Sequence, residues 1–331
     1  MREKGFTLIE MMISLFIGGL ILGGVMFTYI GMKVTTKDTM TIGELQESGR
    51  LAINIMQRDI EQVGFWGTYY DDSFTAANTQ TLANPGGGCF EGLNNGSFPD
   101  LASASNFRTI YAKEASSTSE LNCISKPIAG TDILQIKFLQ GEQLTVDGTT
   151  NETQAGQNYF VAEQERAQFV RDVVDAGALN INATVWPYSH HVYYVSEQTY
   201  KVNNKNISVP ALMRKRLVGG NISTETVMEG VENMRFVFGL DTNNDSRIDI
   251  YKSIGDMEHS DWEDRKGILT VQVFLLIRAL QEDPGLKLKN QTYTLGEDDN
   301  KRQLTFNDSY RRTVFTTTIR LNNVGSNLWR I

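Results

Sequence analysis

Residues 6–32 read FTLIEMMISLFIGGLILGGVMFTYIGM, an apolar run in which Glu10 is the only charge. As a helix it would be about 40 Å long, enough to cross a hydrocarbon core. It follows a five-residue leader, residues 1–5, that carries Arg2 and Lys4. A secretory signal peptide is shorter and ends in a small-residue cleavage site; the continuation TYIGMKVTTKDTM offers none. The run therefore reads as a retained anchor, with Met1 on the cytoplasmic side and the bulk of the chain outside. Glu10 is the anomaly, because a carboxylate at the centre of a membrane helix costs roughly 2.5 to 3.5 kcal/mol.

The helical pattern outlasts the apolar run. Ile42, Leu45, Leu51, Ala52, Ile55, Met56, Ile60 and Val63 recur near 3.6-residue spacing in an otherwise polar stretch, which marks one apolar face on a solvated helix. No proline occurs before Pro85, so nothing forces a break. A rod that is apolar in its first half and amphipathic in its second implies a folded domain packed on the second half. Five glycines, Gly18, Gly19, Gly23, Gly24 and Gly31, punctuate the first half. Gly19 and Gly23 form a GxxxG that permits close helix approach; ordinary tolerance of glycine in membrane helices explains them equally, and local unwinding is a third reading.

The chain has 331 residues, enough for one or two folded units. Its formal charge is -8, and without residues 1–5 it is -9, with 29 basic against 38 acidic side chains. A globally acidic chain argues against nonspecific nucleic-acid binding, which needs a cationic face.

K-G-F-T-L-I-E followed by an apolar helix resembles the N-terminus of type IV pilins and the related pseudopilins. In that family a prepilin peptidase cuts after the glycine and the new N-terminal residue is methylated. By position, the resemblance implies a cut between Gly5 and Phe6, N-methylation of Phe6, and an assembly role for Glu10. The carboxylate would pair with the N-terminal ammonium of a neighbouring subunit's Phe6. Two charges that are costly alone in lipid neutralise each other on docking, which favours assembly and sets axial register.

MQRDIEQVGFWG, residues 56–67, resembles the helix exit of the PilW family of minor pilins, where an acidic residue and a Gly-aromatic-x-Gly close the helix. HHVYYVSEQ, ALMRKRL, VMEGVENMRFVFGLDTNNDSRIDIY, LTVQVFLLIRAL and YRRTVFTTTIRLNN follow that family's order of strands. The resemblance implies an α+β, pilin-like fold. It comprises a leader (1–5), a transmembrane half-helix (6–34), an amphipathic half-helix (35–64) and a β-rich head (65–331). It implies a single-pass inner-membrane protein with a periplasmic head that later joins a surface pilus. The implied function is that of a minor pilin that starts assembly and sits near the tip, supporting motility, adhesion or DNA uptake. The implied partners are the other minor pilins, the major pilin, the prepilin peptidase, the inner-membrane assembly machinery and a large tip adhesin. A type II secretion pseudopilin and an adhesin on a pilin stem are the alternatives.

The residues agree with a β-rich head. Residues 133–139, 192–195, 234–238, 269–277 and 314–321 are β-rich segments separated by Gly, Asn and Asp clusters. Residues 70–119 are rich in Ser, Thr, Asn and Gly and read as a loop-heavy insertion, and AEQERAQFVRDVVDAG carries a weak helical period. Cys89 and Cys123 lie 34 residues apart on the non-cytoplasmic side, where a disulfide is expected; closing that loop contributes roughly 3 to 4 kcal/mol in the chain-entropy model. No C-x-x-C, G-x-S-x-G, phosphate-binding loop or H-E-x-x-H is present, so neither an enzyme nor a zinc site is expected.

Asp241, Asn243, Asp245 and Asp249 place oxygens at loop positions 1, 3, 5 and 9, with the Arg247 carbonyl at 7, a spacing that suits calcium. Ser246 stands where such loops carry glycine, and Lys252 where they carry a bidentate Glu. A polar turn accounts for the same residues without metal. His190 and His191 are adjacent in a presumed strand and so point to opposite faces.

Overall fold

The computed structural model describes Gly5 and residues 7–71, 73–202, 204–264, 267–283 and 290–324. It divides into two compact units, residues 1–47 and 48–331. Helix α1 (Leu8–Ile60) runs from the first into the second. In the first unit it is long and apolar enough to cross a membrane, and its apolar window is uncovered. Leu8, Leu15, Leu22 and Phe27 are all well exposed, as suits side chains whose solvent is lipid.

In the second unit the helix buries a stripe of Gly49, Ala52, Met56, Asp59 and Ile60, at three- and four-residue steps. Leu51, expected on the apolar face, is 48 % exposed. It follows Arg50 and lies one residue short of Ala52, about 100° round the helix from the buried stripe. Gly49 sits where a Cβ would come within 2.3–2.5 Å of the Phe315 ring. The helix ends at Ile60, and Val63 then bridges to Phe138. Gly64 follows at φ +90, a left-handed conformation natural only to glycine.

The head contains two main sheets. The strands of the first are, in chain order, β1 (Thr79–Gln80), β2 (Ile110–Glu114), β5 (Asp132–Leu139), β6 (Asn158–Ala162), β7 (Ala167–Arg171), β8 (Thr184–Val202), β9 (Lys205–Val218) and β10 (Asn221–Glu229). A small hairpin, β3 (Ser119–Glu120) with β4 (Ile124–Ser125), lies between β2 and β5. The spatial order is β1-β7-β6-β8-β5-β2, with β9 also on β8 and β10 on β9. The long strand β8 is the hub: it pairs with β6, β5 and β9 in turn. Trp66, Tyr69, Phe74, Phe98, Phe107, Phe160, Phe169 and Tyr188 form an aromatic cluster on this sheet, mostly edge-to-face, the arrangement ring quadrupoles favour.

The second sheet is β12-β11-β13-β16, built from β11 (Val231–Leu240), β12 (Ile250–Ser253), β13 (Ile268–Arg278) and β16 (Arg312–Arg320). Between β12 and β13 lies the short helix α2 (His259–Glu263). The hairpin β14 (Gln291–Leu295) with β15 (Arg302–Phe306) packs near Val237, Phe274 and Leu276. Asp132, fully buried, joins the two sheets. One of its oxygens accepts the Phe236 N–H at 2.7 Å and the other accepts from Arg302 at 2.7 Å.

The five β-rich segments read from the sequence all fall in strands, and 70–119 is mostly loop. AEQERAQFVRDVVDAG is not helical: its first part forms the β6–β7 turn and strand β7. Phe169 carries the reason, since it is buried in the aromatic cluster while Gln168 beside it is exposed. That two-residue alternation outweighs a weak 3.6 period.

Gly49→Ala should lower the melting temperature of the detergent-solubilised chain. Overpacking against Phe315 costs about 1–3 kcal/mol, more than the roughly 1 kcal/mol that alanine gains in helix preference. Adding Phe315→Leu should recover part of the loss; a Gly49→Ala chain that melts at or above wild type would contradict the close contact.

Candidate functional site: the first turn of the helix and its exit

At the start of α1 the chain makes a capping box. The Thr7 N–H and Oγ1 both donate to Glu10 Oε2, at 2.9 and 2.8 Å, and the Glu10 N–H donates to Thr7 Oγ1 at 3.4 Å. The Thr7 N–H thereby gains an acceptor, and the Glu10 N–H, which donates to the Thr7 carbonyl at 3.1 Å, gains a second. The signal is in the sequence as T-L-I-E, a Thr-x-x-Glu at the start of the helix, which the anchor and assembly readings of Glu10 do not use. Gly5 is described; Phe6, the residue expected at the new N-terminus, lies outside the described residues.

At the exit, Asp59 places a carboxylate in the interior one residue before the helix ends. Its Oδ2 accepts from His191 Nδ1 and Tyr193 Oη, both at 2.5 Å, and from Arg214 Nη1 at 3.3 Å. His191 and Tyr193 are two apart on β8, and Arg214 is the cross-strand partner of Tyr193 on β9, so all three present to one face. Arg214 is itself held by Glu225 of β10 at 2.6 Å. Burial pushes the Asp59 carboxyl up, but the His191 contact, the Tyr193 bond and the Arg214 charge outweigh it and hold the group below its ordinary value. Burial and the Asp59 charge together push the Tyr193 hydroxyl far up, so it stays a donor.

His190 turns the other way, as strand geometry requires. Its Nδ1 meets Ser97 Oγ at 2.8 Å and its Nε2 meets Gln135 Nε2 at 2.9 Å. Gln135 also donates to the Cys89 carbonyl at 2.6 Å. Beside them Lys137, fully buried, donates to the carbonyls of Asn95 and Arg108, and burial lowers its pKa well below the ordinary value. This polar layer pins the segment from Cys89 to Arg108 onto β5 and β8. Cys89 and Cys123 are joined, as expected. Next to the bond, Lys113 bridges Glu91 at 3.0 Å and Glu120 at 2.6 Å. Burial raises the Glu120 carboxyl, but Lys113 and the N–H groups of Ser116 and Ser117 lower it further, to about 2. His259, the remaining histidine, accepts through Nδ1 from the buried Arg108, which also holds Glu263.

The Asp241 loop closes on itself. Asp241 accepts from the N–H groups of Asn243, Asp245 and Ser246, and Asp249 accepts from Thr242. Ser246 adopts φ 64 in the place where glycine was missing. Lys252 is committed elsewhere, to Asp261 at 2.8 Å. Among the described residues no group of three His, Cys, Asp or Glu converges to hold a metal, so calcium here would need Asn243 and main-chain carbonyls as well. Calcium at this loop is a proposal with a direct test: millimolar calcium should raise the melting temperature and a chelator lower it. The absence of any shift would leave a plain turn.

Two family models match the chain. Residues 192–323 match the model described as Type IV Pilus-assembly protein W, and residues 1–26 match the prokaryotic N-terminal methylation motif. No curated protein and no solved structure matches. The first match begins inside β8 and takes in Tyr193, Arg214 and the whole second sheet. The second takes in the capping box and most of the apolar run.

Asp59→Ala should destabilise the head by about 3 kcal/mol, because it leaves Arg214 without one acceptor and two buried donors unpaired. Denaturant midpoints would measure it. In the wild type the contribution has a definite pH sense. The folded pKa is depressed, so the stabilisation is complete above the ordinary value of 3.8 and is lost as pH falls through the lower folded value. A variant as stable as wild type at neutral pH would show that the three donors do not need this carboxylate.

Proposed function

We propose that this chain is a PilW-like type IV pilin that takes part in starting pilus assembly and sits near the pilus tip. The observation that carries the reading is the placement of Glu10: a carboxylate in the first turn of an uncovered apolar helix, five residues after the leader glycine. Such a group costs free energy in lipid unless a cation reaches it, and the processed N-terminus of a neighbouring subunit is the cation that assembly supplies. Cleavage after Gly5 and methylation of Phe6 belong to the same proposal. The family matches point to a structural pilin, so motility, adhesion or DNA uptake would be properties of the pilus. A head running from residue 65 to 331 is bulky to repeat along a thin shaft, which favours a rare subunit near the end. The head would lie in the periplasm before assembly and on the cell surface afterwards. The partners are the other minor pilins, the major pilin, the prepilin peptidase and the inner-membrane machinery, with a tip adhesin beyond them.

In piliated cells, intact-mass analysis should find a chain that begins at methylated Phe6. Glu10→Ala should leave the protein made, cleaved and membrane-bound, yet lower both its capture of other minor pilins and the number of pili. Glu10→Asp should recover little, since one methylene less changes the reach to the ammonium. Unchanged capture together with full piliation would sink the pairing, and retention of Met1 would sink the processing.

A further inference from the structure

Glu10 has two carboxylate oxygens, and the capping box uses one. Thr7 N–H and Oγ1 both converge on Oε2, while Oε1 accepts no hydrogen bond among the described residues. From this we infer that Thr7 is a positioning residue for assembly: it holds Oε2 so that Oε1 faces outward for the methylated amine of a neighbouring subunit. The inference rests on the pairing proposed above and adds to it the residue that aims the carboxylate.

The physical case has two parts. A glutamate on the first turn of a helix has three side-chain torsions, and tethering one oxygen to a group three residues away removes much of that freedom before docking. A carboxylate that already accepts two donors is also less costly to hold in an apolar surrounding than a bare one. Neither part competes with docking. An ammonium and a capping box can be served by different oxygens of one carboxylate, since it offers about four lone-pair sites. The Thr7 amide remains a secondary amide after cleavage at Gly5, so the N–H half of the box survives processing; the hydroxyl half depends on the side chain alone. Glu10 is further fixed by its own carbonyl, which accepts from Ser14 Oγ at 2.7 Å.

The test uses the full-length chain in its own piliated cells, with Thr7→Val, Thr7→Ser, Glu10→Ala and the Thr7→Val/Glu10→Ala pair. Valine keeps the shape and the backbone N–H and loses the hydroxyl, whereas serine keeps the hydroxyl. The readout is co-purification of other minor pilins from solubilised membranes, normalised to the pool of correctly cleaved chain measured by mass. Slower cleavage therefore cannot imitate weaker capture. Thr7→Val should lower capture by about tenfold or more, the effect of one hydrogen bond to a charged group. Thr7→Ser should restore it, and Thr7→Val should add nothing on the Glu10→Ala background. If Glu10→Ala lowers capture and Thr7→Val does not, the positioning role is wrong and the pairing stands. If Thr7→Ser fails to restore capture, the hydroxyl is not the agent and the inference is also wrong. If Glu10→Ala itself has no effect, the pairing fails and the inference with it.

Discussion

The head depends on one buried carboxylate. Asp59 lies at the negative end of a long helix, where a second negative charge is disfavoured, and burial disfavours it again. Three donors must offset both effects, and they come from two strands: His191 and Tyr193 on β8, Arg214 on β9. Because Tyr193 and Arg214 are cross-strand partners, a one-residue slip between β8 and β9 would send one of them to the opposite face. The carboxylate thus sets strand register as well as the seat of the helix. Gly49 and Gly64 serve the same seat by different means, one by giving room to the Phe315 ring and the other by turning the chain after the helix.

A second polar layer lies on the other face of β5. That strand is buried throughout, yet its central LQIKF, residues 134–138, alternates polar and apolar residues as though one face met water. Gln135 and Lys137 face the segment from Cys89 to Arg108 instead, and close its backbone carbonyls from within. A loop-rich insertion can be buried only if its polar backbone groups find partners. Here the carbonyls are met by Gln135 and Lys137 of one strand and Tyr188 of the next, while His190 holds the Ser97 hydroxyl and the Cys89–Cys123 bond ties the segment covalently. Residues 27–191, which carry this layer, lie outside both family matches.

The parts of this fold that were legible in the sequence are those that repeat. The apolar run, the 3.6 period through Ala52, Met56 and Ile60, and the β-rich runs each state their structure several times over. The disulfide was legible because only two cysteines occur. What was illegible depends on single contacts between distant residues. Asp59 meets His191 and Tyr193 across 132 and 134 positions, and Arg108 meets His259 across 151; no local pattern announces either. Leu51 was assigned to the buried face because hydrophobicity ranks it above Gly49, although it is the smaller residue that the packing needs. The capping box is local and so legible, as a Thr-x-x-Glu at the start of the helix.

Glu10 stands apart from the carboxylates that organise the head. Asp59 accepts three donors, Asp132 is shared between a backbone N–H and Arg302, and Glu120 is held by Lys113 and two serine N–H groups. Each of these acids has its partners within the same folded unit, and Asp59 and Asp132 join segments far apart in the chain. Among the described residues the Glu10 side chain meets only Thr7, three residues away, and through one oxygen. In a globular protein an exposed glutamate so placed would be unremarked. On an apolar helix of this length it is the one carboxylate whose environment, in lipid, lacks water to complete its coordination. Under the proposed pairing, a second chain would supply what the described residues of this one do not, and that requirement would turn a membrane anchor into a component of an assembly.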